Sequence, residues 1–150
     1  MESLSGTYAL ILASAGNEHL QIGRLGQLQV RSGYYVYLGS AFGPGGVKAR
    51  ISHHRKTATR PHWHIDYLSS SLPLDEVWYS YDPIHREHQW ADLFKRMEGS
   101  AIPLKKFGAS DCDCVSHLFF FPNRPSKTIF LRKLHSHFRD HKPIHEEKIN

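Results

Sequence analysis

Residues 33–41 of the chain read Gly-Tyr-Tyr-Val-Tyr-Leu-Gly-Ser-Ala. Aromatic and β-branched residues bounded by glycine are typical of a strand, so this stretch predicts a strand over Tyr34 to Leu38. A second apolar run, Tyr8 to Ala13, lies between Gly6 and Gly16. It is too short for a useful helix and predicts a buried strand that begins the sheet.

Between these two runs, Leu20 to Val30 alternates apolar and polar residues around two glycines. This pattern predicts a hairpin or a bent strand that leads into the strand at Tyr34 to Leu38. The first three strands are therefore expected to be contiguous. Residues 43–46 read Gly-Pro-Gly-Gly and break the pattern, and Val47 to Lys56 has helical character.

The second half continues the alternation of strands and helices. Trp63 to Leu68 fits either a strand or a short helix, and the pattern then predicts a strand over Glu76 to Tyr81, an amphipathic helix over Ile84 to Met97 and a strand over Ser116 to Phe121. The predicted fold class is α/β or α+β, a single domain with a small, mainly antiparallel sheet flanked by helices. We expect residues 1–122 to form this domain and residues 123–150 to be a basic extension packed on it.

Charge and cysteine content narrow the class of protein. The 150 residues include 19 basic and 14 acidic side chains, and this balance of +5 makes a polyanion a plausible partner. The only two cysteines, Cys112 and Cys114, are spaced too closely for an ordinary structural disulfide and favour a reducing cytoplasm. No stretch approaches the ~18 apolar residues of a membrane span, so neither export nor membrane insertion is expected.

Three side chains on the predicted first helix have the spacing of a phosphate site. Arg50, His53 and His54 stand at i, i+3 and i+4, so they share one helix face and can meet one phosphate group. Hydrolysis of a phosphodiester needs an oriented water, a proton acceptor and positive charge at the phosphate. The alternative is a solvated basic helix face.

Several motifs follow one another in a recognisable order: Gly6-Thr7-Tyr8, Tyr37-Leu38-Gly39, Gly-Gly-Val-Lys-Ala-Arg-Ile at 45–51, His-Trp-His-Ile-Asp-Tyr-Leu at 62–68 and Phe-Gly-Ala-Ser-Asp-Cys-Asp-Cys at 107–114. Over about residues 6–121 the chain resembles the GIY-YIG nuclease superfamily, in the branch grouped with Uri-type endonucleases. The resemblance implies a GIY-YIG-like domain that hydrolyses phosphodiester bonds with Mg²⁺ or Mn²⁺. Nucleic acid, with DNA as the first choice, is the expected partner.

The resemblance also assigns roles to individual residues. Tyr8 and Tyr37 match the tyrosines that act with the metal to deprotonate or orient the attacking water, although buried tyrosines commonly only pack. Arg50 would offset charge on the phosphate, and His54 would orient or relay a proton. Glu87 matches the family's metal-binding glutamate, which suits an ion that keeps most of its waters. The next residue in this branch is usually cysteine, whereas here it is His88.

Further residues are expected to contact the substrate around that centre: Gly39, Lys48, His53, His64 and Asp66. His64 and Asp66 would share a face if their segment were a strand and would then line the groove. The opposite face, with Trp63 and Ile65, would then be a core face.

Two alternatives remain open from the residues. Nitrogen, oxygen and sulfur ligands from two segments would allow a structural zinc site in place of nuclease chemistry, at His62, His64, Asp66, Asp111, Cys112, Cys114 and His117. The basic and aromatic stretch at 127–139 would suit either nucleic-acid contact or an amphipathic helix on the core. A nucleic-acid-binding module that has lost turnover is the alternative function.

Overall fold

The computed structural model describes residues 1–56, 60–109 and 113–149. Within these ranges, seven strands and four helices follow one another: β1 Gly6–Ser14, β2 Glu18–Ile22, β3 Gly26–Val30, β4 Gly33–Ala41, α1 Gly46–Arg55, α2 His64–Ser69, β5 Leu74–Ser80, α3 Glu87–Arg96, β6 Leu118–Phe121, α4 Lys127–His137 and β7 His145–Lys148.

Five of the strands form one sheet in the order β6-β4-β1-β5-β7, and each neighbouring pair is antiparallel. β1 is the central strand, and its residues from Tyr8 to Leu12 are at most 2% exposed. This unbroken apolar run is required because both faces of the sheet are covered. The prediction of an α+β fold with a small, mainly antiparallel sheet flanked by helices is confirmed.

Each face of the sheet has its own hydrophobic core. On one face, side chains of β1 and β4 pack against α1, α2 and the β2–β3 hairpin, which contribute Val47, Ile51, Ile65, Leu68, Ile22, Leu28 and Val30. On the other face, α3 and α4 contribute Trp90, Leu93, Phe94, Phe130 and Leu134. Alternate residues of β1 therefore point into different cores, Tyr8 into the first and Ala9 into the second.

The β2–β3 hairpin is present, but the expectation that the first three strands are contiguous is wrong. β2 and β3 pair only with each other, in a separate two-stranded sheet. Gly16 and Asn17 adopt positive φ of 89° and 65° directly after β1 and turn the chain away from the sheet. The hairpin then buries its apolar side chains on the sheet face, and β1 pairs directly with β4.

The ambiguous segment at 63–68 is a helix. Asp66, the third residue of α2, accepts hydrogen bonds at Oδ2 from the backbone N–H groups of His62 and Trp63, both at 2.9 Å. These two donors lie where a helix start leaves N–H groups without intrahelical partners, so the carboxylate fixes the start of the helix. Because the segment is helical, the strand arrangement in which His64 and Asp66 would share a face does not occur.

The segment after residue 122 contributes to the same fold. α4 begins where Ser126 Oγ accepts from Ile129 N at 3.1 Å, and it buries Phe130 and Leu134 against α3 and the sheet. β7 pairs with β5 and completes one edge. Within the described ranges, every helix is too short or too polar to cross a lipid bilayer.

Candidate active site

Tyr8 and His54 form the floor of the candidate site. Tyr8 Oη and His54 Nε2 are 2.8 Å apart, and the two side chains come from the central strand and from α1. Both residues are buried, with 2% and 4% of their surface exposed. A neutral imidazole carries one N–H and one lone pair, so this bond joins a phenol and an imidazole between which a proton can pass.

Burial sets the protonation of this pair. Burial lowers the pKa of His54 to about 3, and the charges of His53 and Arg50 add to the effect against the opposing charge of Asp66. Burial also raises the pKa of Tyr8 well above its ordinary value, with a further contribution from Tyr37. At neutral pH the floor therefore consists of an uncharged imidazole and a protonated phenol.

Tyr37 and Arg50 lie above this floor and are only partly buried. These two residues form the rim of the candidate site. Tyr37 lies two residues before Gly39, which pairs with Tyr8, so both tyrosines point to the same face of the sheet. The rings of Tyr37 and His54 are 6.3 Å apart in an edge-on arrangement. The Arg50 guanidinium lies 4.6 Å from the centre of the Trp63 ring, and this cation–π contact holds a positive charge at the rim.

Gly39 gives the Tyr8 ring its place. A Cβ at residue 39 would collide with Cζ and Oη of Tyr8, so only glycine lets the ring lie across β4. The glycine of the Tyr37-Leu38-Gly39 motif is therefore required for packing, because it makes room for the phenol that reaches His54.

His53 and Asp66 form a second pair beside the floor. His53 Nε2 and Asp66 Oδ1 are 3.0 Å apart. Burial alone would raise the pKa of Asp66, but the N–H groups of Trp63 and His62 and the His53 ring together hold it below its ordinary value. The carboxylate is thus ionised with both oxygens engaged, and its role is to hold His53 and the start of α2.

Glu87 lies at the start of α3, on the other side of β4. Its Oε2 accepts from Ser40 Oγ at 2.5 Å, and its Oε1 is 2.6 Å from His117 Nδ1. Burial alone would raise the pKa of Glu87, whereas the hydrogen bonds from His117 and Ser40 hold it below its ordinary value. Its negative charge contributes to the raised pKa values of Tyr8 and Tyr37, so Glu87 is within electrostatic reach of the floor.

The remaining predicted residues lie at different places. His64 Nδ1 accepts from Gly108 N at 2.8 Å, and its ring meets Phe107, which also touches Tyr37. His64 therefore supports the wall behind Tyr37. Lys48 is exposed on the far side of α1, in a shallow depression that it shares with Ile51, Ser52 and Arg55, so the structure does not bring Lys48 to the cluster.

The ligands proposed for zinc separate into different places. Asp66 groups with His53 and His54, and the other group of His, Cys and carboxylate ligand atoms in the described ranges joins Cys114 and His117 to His88. In the part of the chain that the structure describes, no such group includes His62 or His64. Asp111 and Cys112 lie outside the described residues.

Sequence reasoning missed two residues that shape this site. Ser40 follows the Tyr37-Leu38-Gly39 motif directly and reaches Glu87 across 47 positions of chain. Trp63 lies under Arg50 and was expected only as a core residue. The sequence offered two signals for them. One was a tryptophan next to a histidine-rich stretch, and the other was a polar residue directly after a strand motif.

Comparison with known proteins gives one finding. A family model described as "Domain of unknown function DUF123" matches residues 7–140. Neither the curated proteins nor the solved structures give a match. Because the matched range covers both cores and the cluster around Tyr8, the chain belongs to the family with the domain of unknown function DUF123.

Proposed function

We propose that the protein is a divalent-metal-dependent endonuclease of the GIY-YIG type, in the branch of Uri-type enzymes, with DNA as its first expected substrate. One observation carries this proposal: a buried phenol–imidazole pair, Tyr8 and His54, lies beside the partly buried Tyr37 and Arg50, and the Glu87 carboxylate lies within electrostatic reach of both tyrosines. Phosphodiester hydrolysis requires a proton route, a phosphate-binding cation and an anionic site for a metal, and these five side chains provide them.

Arg50 is the phosphate-binding residue. Its guanidinium offers a fork of N–H donors that matches phosphate oxygens, and the face of Trp63 holds it in place. A phosphate bound here brings negative charge close to His54 and raises the pKa of the imidazole from its low value. Substrate binding thereby increases the basicity of the proton acceptor.

Tyr8 and His54 provide the proton route. The Tyr8 hydroxyl donates to His54 Nε2 and takes a proton from the groove, so the proton moves from water through the phenol to the imidazole. The raised pKa of Tyr8 disfavours a free phenolate, and the relay avoids forming one. Tyr37, which is more exposed, orients the attacking water at the rim.

Glu87 fits a divalent metal. It is ionised, offers hard carboxylate oxygens and is partly exposed, as Mg²⁺ or Mn²⁺ requires. When bound, the ion supplies charge stabilisation to the phosphate and lowers the pKa of water. Ser40 and His117 hold the carboxylate in one orientation while one lone pair of each oxygen remains.

The test uses purified wild-type protein with labelled single-stranded and duplex DNA and RNA, in Mg²⁺, Mn²⁺ or chelator. We expect metal-dependent cleavage that Glu87→Gln and Arg50→Ala reduce by at least about 100-fold. Glu18→Gln, which alters an exposed carboxylate on β2, is the matched control and retains cleavage. Full cleavage by both site variants would refute the assignments.

A second candidate function is nucleic-acid binding without turnover. The specific observation is a groove of about 740 Å³ between the end of α3 and α4, lined by residues that include Arg96, Arg124, Arg132 and Lys133. Cations along one groove suit a phosphate backbone. Salt-dependent binding without any cleavage product would favour this module, and no binding at all would refute both nucleic-acid proposals.

A further inference from the structure

His88, Cys114 and His117 come together beside Glu87. One ligand atom from each residue lies within 4.8 Å of the others. His88 is in the first turn of α3, whereas the other two precede β6, so the fold and not the local sequence creates the group. The proposed nuclease chemistry uses neither His88 nor Cys114.

We infer that these three side chains bind a Zn²⁺ ion, as the His and Cys ligands that the described part of the chain brings together at this place. Two imidazoles and one thiolate form a donor set that zinc accepts. Bonds of about 2.0–2.3 Å in a tetrahedron place ligand atoms about 3.3–3.5 Å apart. The distances between ligand atoms therefore have to shorten by no more than about 1.5 Å when the ion binds. Rotation of the exposed His88 side chain can supply this movement.

Glu87 prepares His117 for this role. The 2.6 Å contact between Glu87 Oε1 and His117 Nδ1 favours the tautomer with the ring proton on Nδ1, which leaves Nε2 for a metal. A carboxylate that fixes the tautomer of a metal-binding histidine is a common supporting contact of zinc sites. The backbone of His117 is held at both sides, by Phe107 O at 2.8 Å and by Leu38 N at 2.9 Å, so the ring position is set before metal binds.

Two of the three proposed ligands, His88 and Cys114, line a cavity. This cavity of about 290 Å³ is lined by residues that include His88, Cys114, Asp92, Lys95 and Ser116. Among the described residues the group has three protein ligands beside this cavity, and zinc sites with three protein ligands take water or a small ligand at the fourth position. The site therefore lies beside the Glu87 centre and offers nitrogen and sulfur where Glu87 offers oxygen.

This difference in donor atoms separates the two sites. Mg²⁺ prefers the hard oxygens of Glu87, and a borderline-soft ion prefers the thiolate and imidazoles. The zinc inference does not depend on nuclease activity. Glu87 would contribute to both sites, because the carboxylate that binds Mg²⁺ also orients His117.

The test is a Co²⁺ titration of reduced, chelator-treated protein followed by displacement with Zn²⁺. We expect one equivalent of Co²⁺ to give a near-ultraviolet thiolate charge-transfer band together with the intense visible bands of four-coordinate cobalt, and Zn²⁺ to remove both. Cys114→Ser is expected to abolish the charge-transfer band, and His88→Ala to weaken Co²⁺ binding by at least about tenfold. Circular dichroism checks that both variants fold, and His88 is exposed, so its removal leaves the core intact.

Two further variants test whether Co²⁺ binds at this group of ligands and not elsewhere on the protein. His53→Ala alters the other ligand group and is expected to leave the band and the affinity unchanged. Glu87→Gln is expected to keep the band, because the amide oxygen still accepts from His117 Nδ1, so a loss of cleavage in that variant does not reflect loss of zinc. A charge-transfer band that persists in Cys114→Ser, or Co²⁺ binding that disappears in His53→Ala, would overturn the inference.

Discussion

Mild acid should destabilise the protein through His54. The pKa of this imidazole falls from 6.5 to about 3 on folding because the ring is buried. A group whose pKa is lower in the folded state contributes stability above its unfolded value and loses it as the pH falls, here between about 6.5 and 3. Each pH unit in that window costs about 1.4 kcal/mol, so His54 alone should remove about 2 kcal/mol by about pH 5.

Asp66, Tyr8 and Tyr37 do not titrate against this trend. The pKa of Asp66 lies below its ordinary value, so Asp66 stays ionised through most of the window, whereas Tyr8 and Tyr37 stay protonated because their pKa values are raised. Arg50 and His53 face the ring from its own helix and oppose a further positive charge. The cost of protonation therefore falls on the imidazole.

The assay is urea unfolding of wild-type protein and His54→Gln at several pH values between about 7.5 and 5. Glutamine does not titrate, so the variant should lose about 2 kcal/mol less than wild type over this range. The difference isolates His54, because His64 and His141, whose pKa values burial also lowers, are present in both proteins. His19→Gln, at an exposed position of β2, serves as the control. Equal pH dependence in wild type and His54→Gln would refute the reasoning.

Three other substitutions test the packing around the site and the core. Tyr8→Phe removes the hydroxyl that meets buried Nε2 of His54 and should lower the free energy of unfolding by about 1–3 kcal/mol, measured in urea. Gly39→Ala forces the Tyr8 ring to move and should cost about 1–3 kcal/mol, with shifted NMR resonances of that ring. Arg86→Ala leaves the buried Asp82 carboxylate without its guanidinium and should cost about 3–5 kcal/mol, seen as a lower Tm.

Matched variants separate these effects from general damage. A Cβ at Gly43 would meet only Arg50 Nη2 at 3.8 Å, so Gly43→Ala should leave stability and the Tyr8 resonances unchanged. Arg96 and Asp92 form an exposed ion pair, so Arg96→Ala should cost less than about 1 kcal/mol. An unchanged urea midpoint in Tyr8→Phe would mean that the phenol does not support His54, and equal losses in Arg86→Ala and Arg96→Ala would contradict the buried-pair assignment.

Strands β1 and β4 were predictable because their signal is local. Their apolar runs are long enough for strands buried on both faces, and glycine marks their ends. The helical state of α2 was not predictable from periodicity, since its six residues are set by hydrogen bonds from two backbone N–H groups to Asp66. The separate hairpin depended on the positive φ of Gly16 and Asn17, which only the folded chain reveals.

The same distinction holds for the candidate site. Arg50, His53 and His54 share one helix, so their spacing alone placed them together. The hydrogen bond between Ser40 and Glu87 joins β4 to α3 across 47 positions of the sequence, and no local pattern encodes that contact. The grouping of His88 with Cys114 and His117 likewise depends on how α3 docks beside the segment before β6.

The position of β1 in the sheet has a consequence for how the chain acquires its structure. β1 is central, yet β4 and β5, the strands that pair with it, begin at residues 33 and 74, and the outer strands begin only at 118 and 145. Sheets that depend on such distant pairings fold slowly, because a long loop must close before each pairing is formed. During synthesis β1 must therefore stay unpaired until β4 emerges from the ribosome. In that interval its apolar run is the segment most in need of protection from aggregation.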